Sequence, residues 1–211
     1  MSLERIICPD RTAWLSQRTI QGIGGSEAAA IVGVSPWMTA IELWRLKTGQ
    51  AQAKDLSDNE AVQRGVAMEP AIREFFKALH PTWTVEHHPY DILYQSERPY
   101  IFATLDGEIT DDVGRRRILE IKTGTTLKWN EWKDGVPTHY EIQGLHQLLA
   151  TGFEIVNFIA LLYRQNGDME IVEREIWRED FEDDIALLAE KESDFWRRVQ
   201  ERRPPRQVIR F

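Results

Sequence analysis

Three residues in the run Tyr100 to Thr123, YIFATLDGEITDDVGRRRILEIKT, have the types and spacing to do chemistry together: Asp106, Glu120 and Lys122. Read as two strands joined by a turn, the run puts Asp106 on the first strand and Glu120 and Lys122 on the second. Side chains two apart in a strand share a face, so Glu120 and Lys122 project together while Leu119 and Ile121 face the other way. If the strands pair across the Asp112–Arg117 connection, Asp106 comes close to Glu120, and one small site holds two carboxylates and an ammonium. Neighbouring carboxylates repel, and such a pair stays ionised most easily with a cation between them. All-oxygen ligation suits Mg²⁺ or Mn²⁺. A metal there polarises a phosphoryl oxygen and stabilises the leaving oxygen, and a lysine beside it orients or deprotonates an attacking water. That is the chemistry of phosphodiester hydrolysis. Glu-x-Lys is also common on the solvent face of a strand. The apolar setting of Ile118, Leu119 and Ile121 sets this one apart, because a mostly buried strand leaves Glu120 and Lys122 in need of partners.

The elements that must position these residues follow from periodicity. Period two sets in at Trp83 and runs through Val85, His87, Ile92 and Tyr94, which gives a meander of about three strands. The apolar run from Ile155 to Arg164 reads as a central strand covered on both faces, followed across Asn166-Gly167 by an alternating strand from Met169 to Trp177. A short helix spans Asp10 to Gln21. Ser26 is a natural cap for the next one, with Glu27 in its first turn and Gly33 closing it. Ser35-Pro36 starts another, with Ile41, Leu43, Trp44 and Leu46 inward and Gly49 at its end. A longer helix begins at Asn59 and should kink or restart near Glu69, because Pro70 interrupts it. Pro137 opens a helix that buries Ile142, Leu145, Leu148 and Leu149 and stops at Gly152. Phe181, Ile185, Leu188, Phe195 and Val199 mark a last amphipathic helix, a core or oligomer element. The fold class is α/β of the α+β type, a central mixed sheet flanked by helices. We expect one domain over residues 1–211: a helical part to about 80, a sheet-bearing core from about 83 to 178, and a C-terminal helix from about 179 to 203.

Further polar residues have two readings each. Gly24 and Gly25 at a helix N-terminus let an anion come close, and Arg18 adds a charged fork, although Ser26 serves equally as a cap. Glu69 sits among small and apolar residues, yet a glutamate at a helix break is ordinary. Gln143 is either a surface glutamine or an arm turned toward the carboxylates. Trp129 and Trp132 either stack on nucleobases or anchor a loop. Arg115 to Arg117, and the tail arginines Arg197, Arg198, Arg202, Arg203, Arg206 and Arg210, form a local basic groove or a solvated face. The histidines offer no rival site: His87 and His88 point apart in a strand, and His139 and His146 stand roughly 10 Å apart on a helix. No Gly-x-Ser-x-Gly elbow is present.

Composition narrows the class. At 211 residues and 42% hydrophobic content the chain supports one sizeable core. The single cysteine, Cys8, rules out an internal disulfide and a four-cysteine cluster. The absence of a long apolar run or a signal-peptide pattern points to a cytoplasmic protein with no membrane partner. A net charge of −8 argues against a nonspecific DNA-coating protein.

Taken in order, these motifs resemble the PD-(D/E)xK nuclease superfamily, and more closely the YqaJ-type viral recombinases, the family of phage lambda exonuclease. The residues that carry the resemblance are Trp14-x-x-x-Arg18, Gly25-Ser26-Glu27, the Ser35-Pro36 step, Gly65-x-x-x-Glu69-Pro70, Asp106, Glu120-Ile121-Lys122 and Tyr140-x-x-Gln143. Leu105 replaces the proline of the superfamily's name, at a position that is not a ligand. The resemblance implies a restriction-endonuclease-like core. It makes Asp106, Glu120, Glu69 and the Ile121 carbonyl the ligands of Mg²⁺, for which Mn²⁺ substitutes, with two ions per site. Lys122 then activates the water, Gln143 holds it, and Arg18 and Ser26 grip a 5′-phosphate. It further implies a 5′-to-3′ exonuclease on ends of double-stranded DNA, in phage-type recombination by strand annealing. The assembly implied is a homotrimeric ring with a single-strand annealing protein as partner, in the host cytoplasm if phage-encoded. An endonuclease of the same superfamily and a non-catalytic DNA-binding module are the alternatives.

Overall fold

The apolar strand from Arg116 to Thr125 divides the molecule. Leu119 and Ile121 turn to one side, into a cluster with Ile72, Phe76, Ile159 and Leu161, while Ile118 turns to the other, toward Leu145, Leu148 and Phe158. The computed structural model describes residues 2–56, 58–125, 129–163 and 167–206, the side chains of residues 129 and 130 excepted. In chain order the elements are β1 (Leu3–Ile7), α1 (Arg11–Gln21), β2 (Ile23–Gly24), α2 (Gly25–Ile31), α3 (Ala40–Lys47), α4 (Glu60–Leu79), β3 (Thr84–Glu86), β4 (Asp91–Gln95), β5 (Ile101–Ala103), β6 (Gly107–Thr110), β7 (Arg116–Thr125), α5 (Trp129–Lys133), α6 (Thr138–Thr151), β8 (Ile155–Tyr163), β9 (Met169–Trp177) and α7 (Glu182–Gln200).

The strands form two mixed sheets, where periodicity alone gave one. The larger runs β3-β6-β7-β8-β9, with β7 and β8 parallel and the rest antiparallel; the smaller runs β1-β4-β5-β2. β8 is buried along nearly its whole length, as its unbroken apolar run requires. Helix α4 covers one face of the larger sheet, and α6 lies between its other face and β5. α7 closes the core through Ile185, Leu188, Phe195 and Val199. Two strands, β1 and β2, belong to the N-terminal part that the pattern marked as helical: β1 pairs with β4 and β2 with β5.

Four local expectations are corrected. Asp106 is not on a strand: β5 ends at Ala103 in one sheet, β6 starts at Gly107 in the other, and buried Leu105 pins the step between them. α4 continues unbroken through Pro70, which removes one helix hydrogen bond while Ile72, Arg73 and Phe76 keep the following turns packed inward. α3 starts at Ala40, not at Ser35-Pro36, because Thr39 and Glu42 form a reciprocal cap: Glu42 N–H donates to Thr39 Oγ1 and Thr39 N–H to Glu42 Oε2. Ser26 does not cap α2. Glu27 accepts the Gly24 N–H at 2.9 Å, the helix begins at Gly25, and the Ser26 side chain is left exposed.

Candidate active site

β7 brings Glu120 and Lys122 to the face that meets α6, as strand parity requires. Lys122 Nζ lies 2.5 Å from Glu120 Oε1 and donates to Gln143 Oε1 at 3.0 Å, and Gln143 Nε2 donates to the same Glu120 oxygen at 2.6 Å. Glu120 is nearly fully buried, 3% exposed, so each of these partners offsets part of the cost of a carboxylate out of water. Asp106 reaches the group from the sheet-to-sheet step, where its Oδ2 accepts the Ile121 N–H at 2.7 Å. Ile121 thus enters the site through its backbone, while its side chain lies in the core beneath. Glu69 projects from α4 into the same cleft.

The charges are strongly coupled. Burial pushes the Asp106 carboxyl well above its ordinary value, and repulsion from Glu120 and Glu69 adds to the rise against the pull of Lys122 and the Ile121 N–H. Glu69 is also raised, by burial first, with Glu120 adding and Arg73 opposing. Burial alone would lower Lys122, but the Glu120 and Asp106 carboxylates outweigh it and hold the ammonium charged. Lys122 therefore stands as a donor and a positive charge.

Asp106, Glu120 and Glu69 supply oxygen donors of the kind a hard divalent cation takes, and their mutual repulsion is what a cation would relieve. Among the described residues no three acidic, histidine or cysteine side chains stand close enough to enclose an ion as placed. The Glu120 oxygens are turned onto Lys122, Gln143 and Gln147. The residues fit such an ion in charge and donor type, and taking one up would exchange some of those hydrogen bonds.

Arg18 and Ser26 line the same cleft, of about 540 Å³, as Asp106, Glu120, Glu69 and Gln143. The Arg18 guanidinium lies 4.6 Å from the Trp14 ring centroid and 5.8 Å from that of Phe102, and burial lowers its pKa against the pull of Glu27. Gly24 makes room for it, since a Cβ there would stand 3.0 Å from an Arg18 terminal nitrogen.

Sequence reasoning missed three supporting contacts. Gln147 Nε2 donates to Glu120 Oε2 at 2.5 Å, one helical turn after Gln143; the i,i+4 glutamine pair was the available signal. Buried Arg73, one turn after Glu69, donates from Nε to the Asp106 carbonyl at 2.8 Å. Trp14 Nε1 donates to Thr104 Oγ1 at 2.9 Å and ties the wall behind Arg18 to the Asp106 step. Other candidates dissolve into structure. Arg115 and Arg117 bind the buried Asp111 carboxylate, and Arg116 pairs with Glu108, so this run is no free basic groove. Arg197 and Arg198 both pair with Asp194. Trp132 is a buried anchor, 1% exposed, whereas the Trp129 side chain, Asn166 and Arg210 lie outside the described residues.

The fold matches solved nuclease structures. An alkaline exonuclease (LHK-Exo) from Laribacter hongkongensis superposes with a TM-score of 0.68 at 20% identity, over 90% of this chain and 93% of that one. A phage-related exonuclease from Haemophilus somnus 129PT gives 0.55 at 13% identity, over 86% and 96%. The core is thus restriction-endonuclease-like. In sequence, the YqaJ-like viral recombinase domain matches residues 13–154, and the chain belongs to that family. The protein YqaJ of Bacillus subtilis (strain 168) is 33% identical over 193 residues, covering 88% of this chain; the chain spans only about half, 55%, of that relative.

Proposed function

We propose that this chain is a Mg²⁺-dependent 5′-to-3′ exonuclease, with Mn²⁺ able to substitute, that hydrolyses one strand of duplex DNA from its end and releases 5′-mononucleotides. One observation carries the reading: the acidic centre and the Arg18–Ser26 corner share a single cleft. Family membership supports it, as does a structure of the Laribacter alkaline exonuclease in complex with dAMP, a mononucleotide.

Asp106, Glu120, Glu69 and the Ile121 carbonyl would hold the divalent metal, two ions by family resemblance, which when bound would supply Lewis acidity at the scissile phosphoryl group. The chain's own residues do the rest. The charged Lys122 ammonium and the Gln143 amide, already bonded to each other and to Glu120, orient an incoming water and balance charge growing on the phosphoryl oxygens. Arg73 fixes the Asp106 main chain and so the direction of its carboxylate. Arg18 forks a terminal 5′-phosphate with Ser26 beside it, which makes strand ends the preferred substrate.

Linear duplexes bearing 5′-phosphate or 5′-hydroxyl ends, compared with a closed circle, test the proposal. Mononucleotide release from linear DNA, faster from phosphorylated ends and slower in Arg18→Ala, supports it. Nicking of the circle at comparable rates would make the chain an endonuclease, and no cleavage of either DNA would leave a binding module. The family resemblance extends the proposal to a homotrimeric ring around DNA, checked by sedimentation, and to a single-strand annealing partner, checked by co-purification. Among the described residues no helix is long and apolar enough to cross a membrane.

A further inference from the structure

Trp37 is a large apolar side chain left 63% exposed on a loop that is otherwise firmly held. Ser35 is buried, its N–H and that of Val34 both donate to the Ala29 carbonyl, and its Oγ accepts the Trp37 N–H at 3.2 Å. On the other side Met38 packs against the cluster of Leu43 and Trp44, and Thr39 caps α3. The indole is therefore presented by a fixed backbone. Its ring meets His139 edge-on at 4.9 Å between centroids and lies 6.0 Å from Tyr140, whose ring in turn has Lys122 Nζ 4.5 Å from its centroid. Trp132 backs Tyr140 from the core at 5.8 Å. A rigid aromatic ledge thus begins at the lysine of the acidic centre and ends in an exposed indole.

Resting on the exonuclease reading, we infer that Trp37 is a stacking platform for a nucleobase of the strand being degraded, on the Lys122 side of the site and outside the cleft that Arg18 lines. Charge complementarity alone serves this chain poorly: it carries a net −8, and its Arg115–Arg117 run is spent on carboxylates. Base stacking needs no net positive charge and accepts any sequence, because every base has a π face. An indole held two ring contacts from the catalytic lysine fits that need. A second copy of this chain covering the ring is the competing occupant.

The experiment uses the whole chain, Mg²⁺ and linear duplexes in which a single abasic residue is walked along the degraded strand near its 5′ end. For the parent, an abasic residue at one or two adjacent positions should raise KM roughly tenfold with kcat nearly unchanged. Trp37→Ala should show that raised KM on intact DNA and no extra penalty at those positions, while Trp37→Phe keeps most of the parental profile. A parental KM and parental abasic profile in Trp37→Ala overturn the inference. So does a drop in oligomeric state, seen by sedimentation, with the abasic profile unchanged; that result assigns the ring to a second copy. If the parent cleaves no DNA, the exonuclease reading fails first, and this inference with it, before any Trp37 variant is needed.

Discussion

Gln147 holds Glu120 from the side opposite Lys122: its Nε2 meets Oε2 at 2.5 Å while Lys122 and Gln143 share Oε1. The carboxylate is thereby fixed by three donors from two elements. Gln147→Leu removes one of them and leaves a buried carboxylate oxygen unmet, although it also sheds the Gln147 Oε1, which has no hydrogen-bond partner. Stability should fall by only about 1–2 kcal/mol. DNA hydrolysis should drop roughly 10- to 100-fold in kcat, the usual cost of losing a ligand's outer partner. Thermal melting beside steady-state digestion reads both, and undiminished kcat would show that Glu120 needs no such support.

Asp106 sets stability against chemistry. Its carboxyl is crowded by Glu120 and Glu69 in a site that already disfavours charge. Asp106→Asn keeps the shape and an N–H acceptor for Ile121 while removing one of three repelling charges. The variant should melt at the same temperature as the parent or higher in metal-free buffer, and it should lose hydrolysis. A clearly lower melting temperature would mean that the Asp106 charge is already balanced without a cation.

Much of this site was legible because covalent geometry fixes strand parity: once β7 is a strand, Glu120 and Lys122 must share a face and Leu119 and Ile121 must take the other. Gln147 and Arg73 were not, since which turn of a helix meets the site depends on how α6 and α4 lie on the sheet. Local pattern also hides strand partners. β5 and β6 are separated by only Thr104, Leu105 and Asp106, yet they hydrogen-bond into different sheets. The arginine run failed as a groove for a similar reason. Asp111 lies only a few residues away, but a tight loop at Gly114, with φ of 83°, is what folds Arg115 and Arg117 back onto it. Arg18 and Ser26, read from the sequence as a separate anion pocket, line one cleft with Asp106, and Ser26 lost its capping role to Glu27.

Gly144 tests how closely α6 must approach the sheet. A Cβ there would stand 2.9 Å from the Phe158 ring, inside the core shared by Ile118 and Leu145. Gly144→Ala gains helix propensity worth about 1 kcal/mol, but the overpacking costs about 1–3 kcal/mol and pushes α6 outward. The helix carries Gln143 and Gln147 with it. Melting should move little or fall by a few degrees, and hydrolysis should fall more than stability does. Equal activity to the parent would show that the glutamines tolerate the shift.

His146, fully buried on α6, sits between two acceptors: Nδ1 is 2.7 Å from Glu192 on α7, and Nε2 is 2.8 Å from the Phe102 carbonyl on β5. Both contacts are satisfied only by the doubly protonated ring. Burial works against that charge, but Glu192, the Phe102 carbonyl and more distant Glu27 overcome it, and the His146 pKa is raised. A proton bound more tightly in the folded chain contributes stability that is complete below the ordinary histidine value of 6.5 and is lost as pH rises through the raised folded value. The parent's melting temperature should therefore decline as pH rises above 6.5. Glu192→Gln removes the anion that holds the proton, so the variant should melt lower near pH 6 and show a flatter decline above it. Parallel curves for the two proteins would place the pH dependence elsewhere. Phe102 links this pair to the cleft, because its ring flanks Arg18 at 5.8 Å while its carbonyl accepts the His146 Nε2–H hydrogen bond.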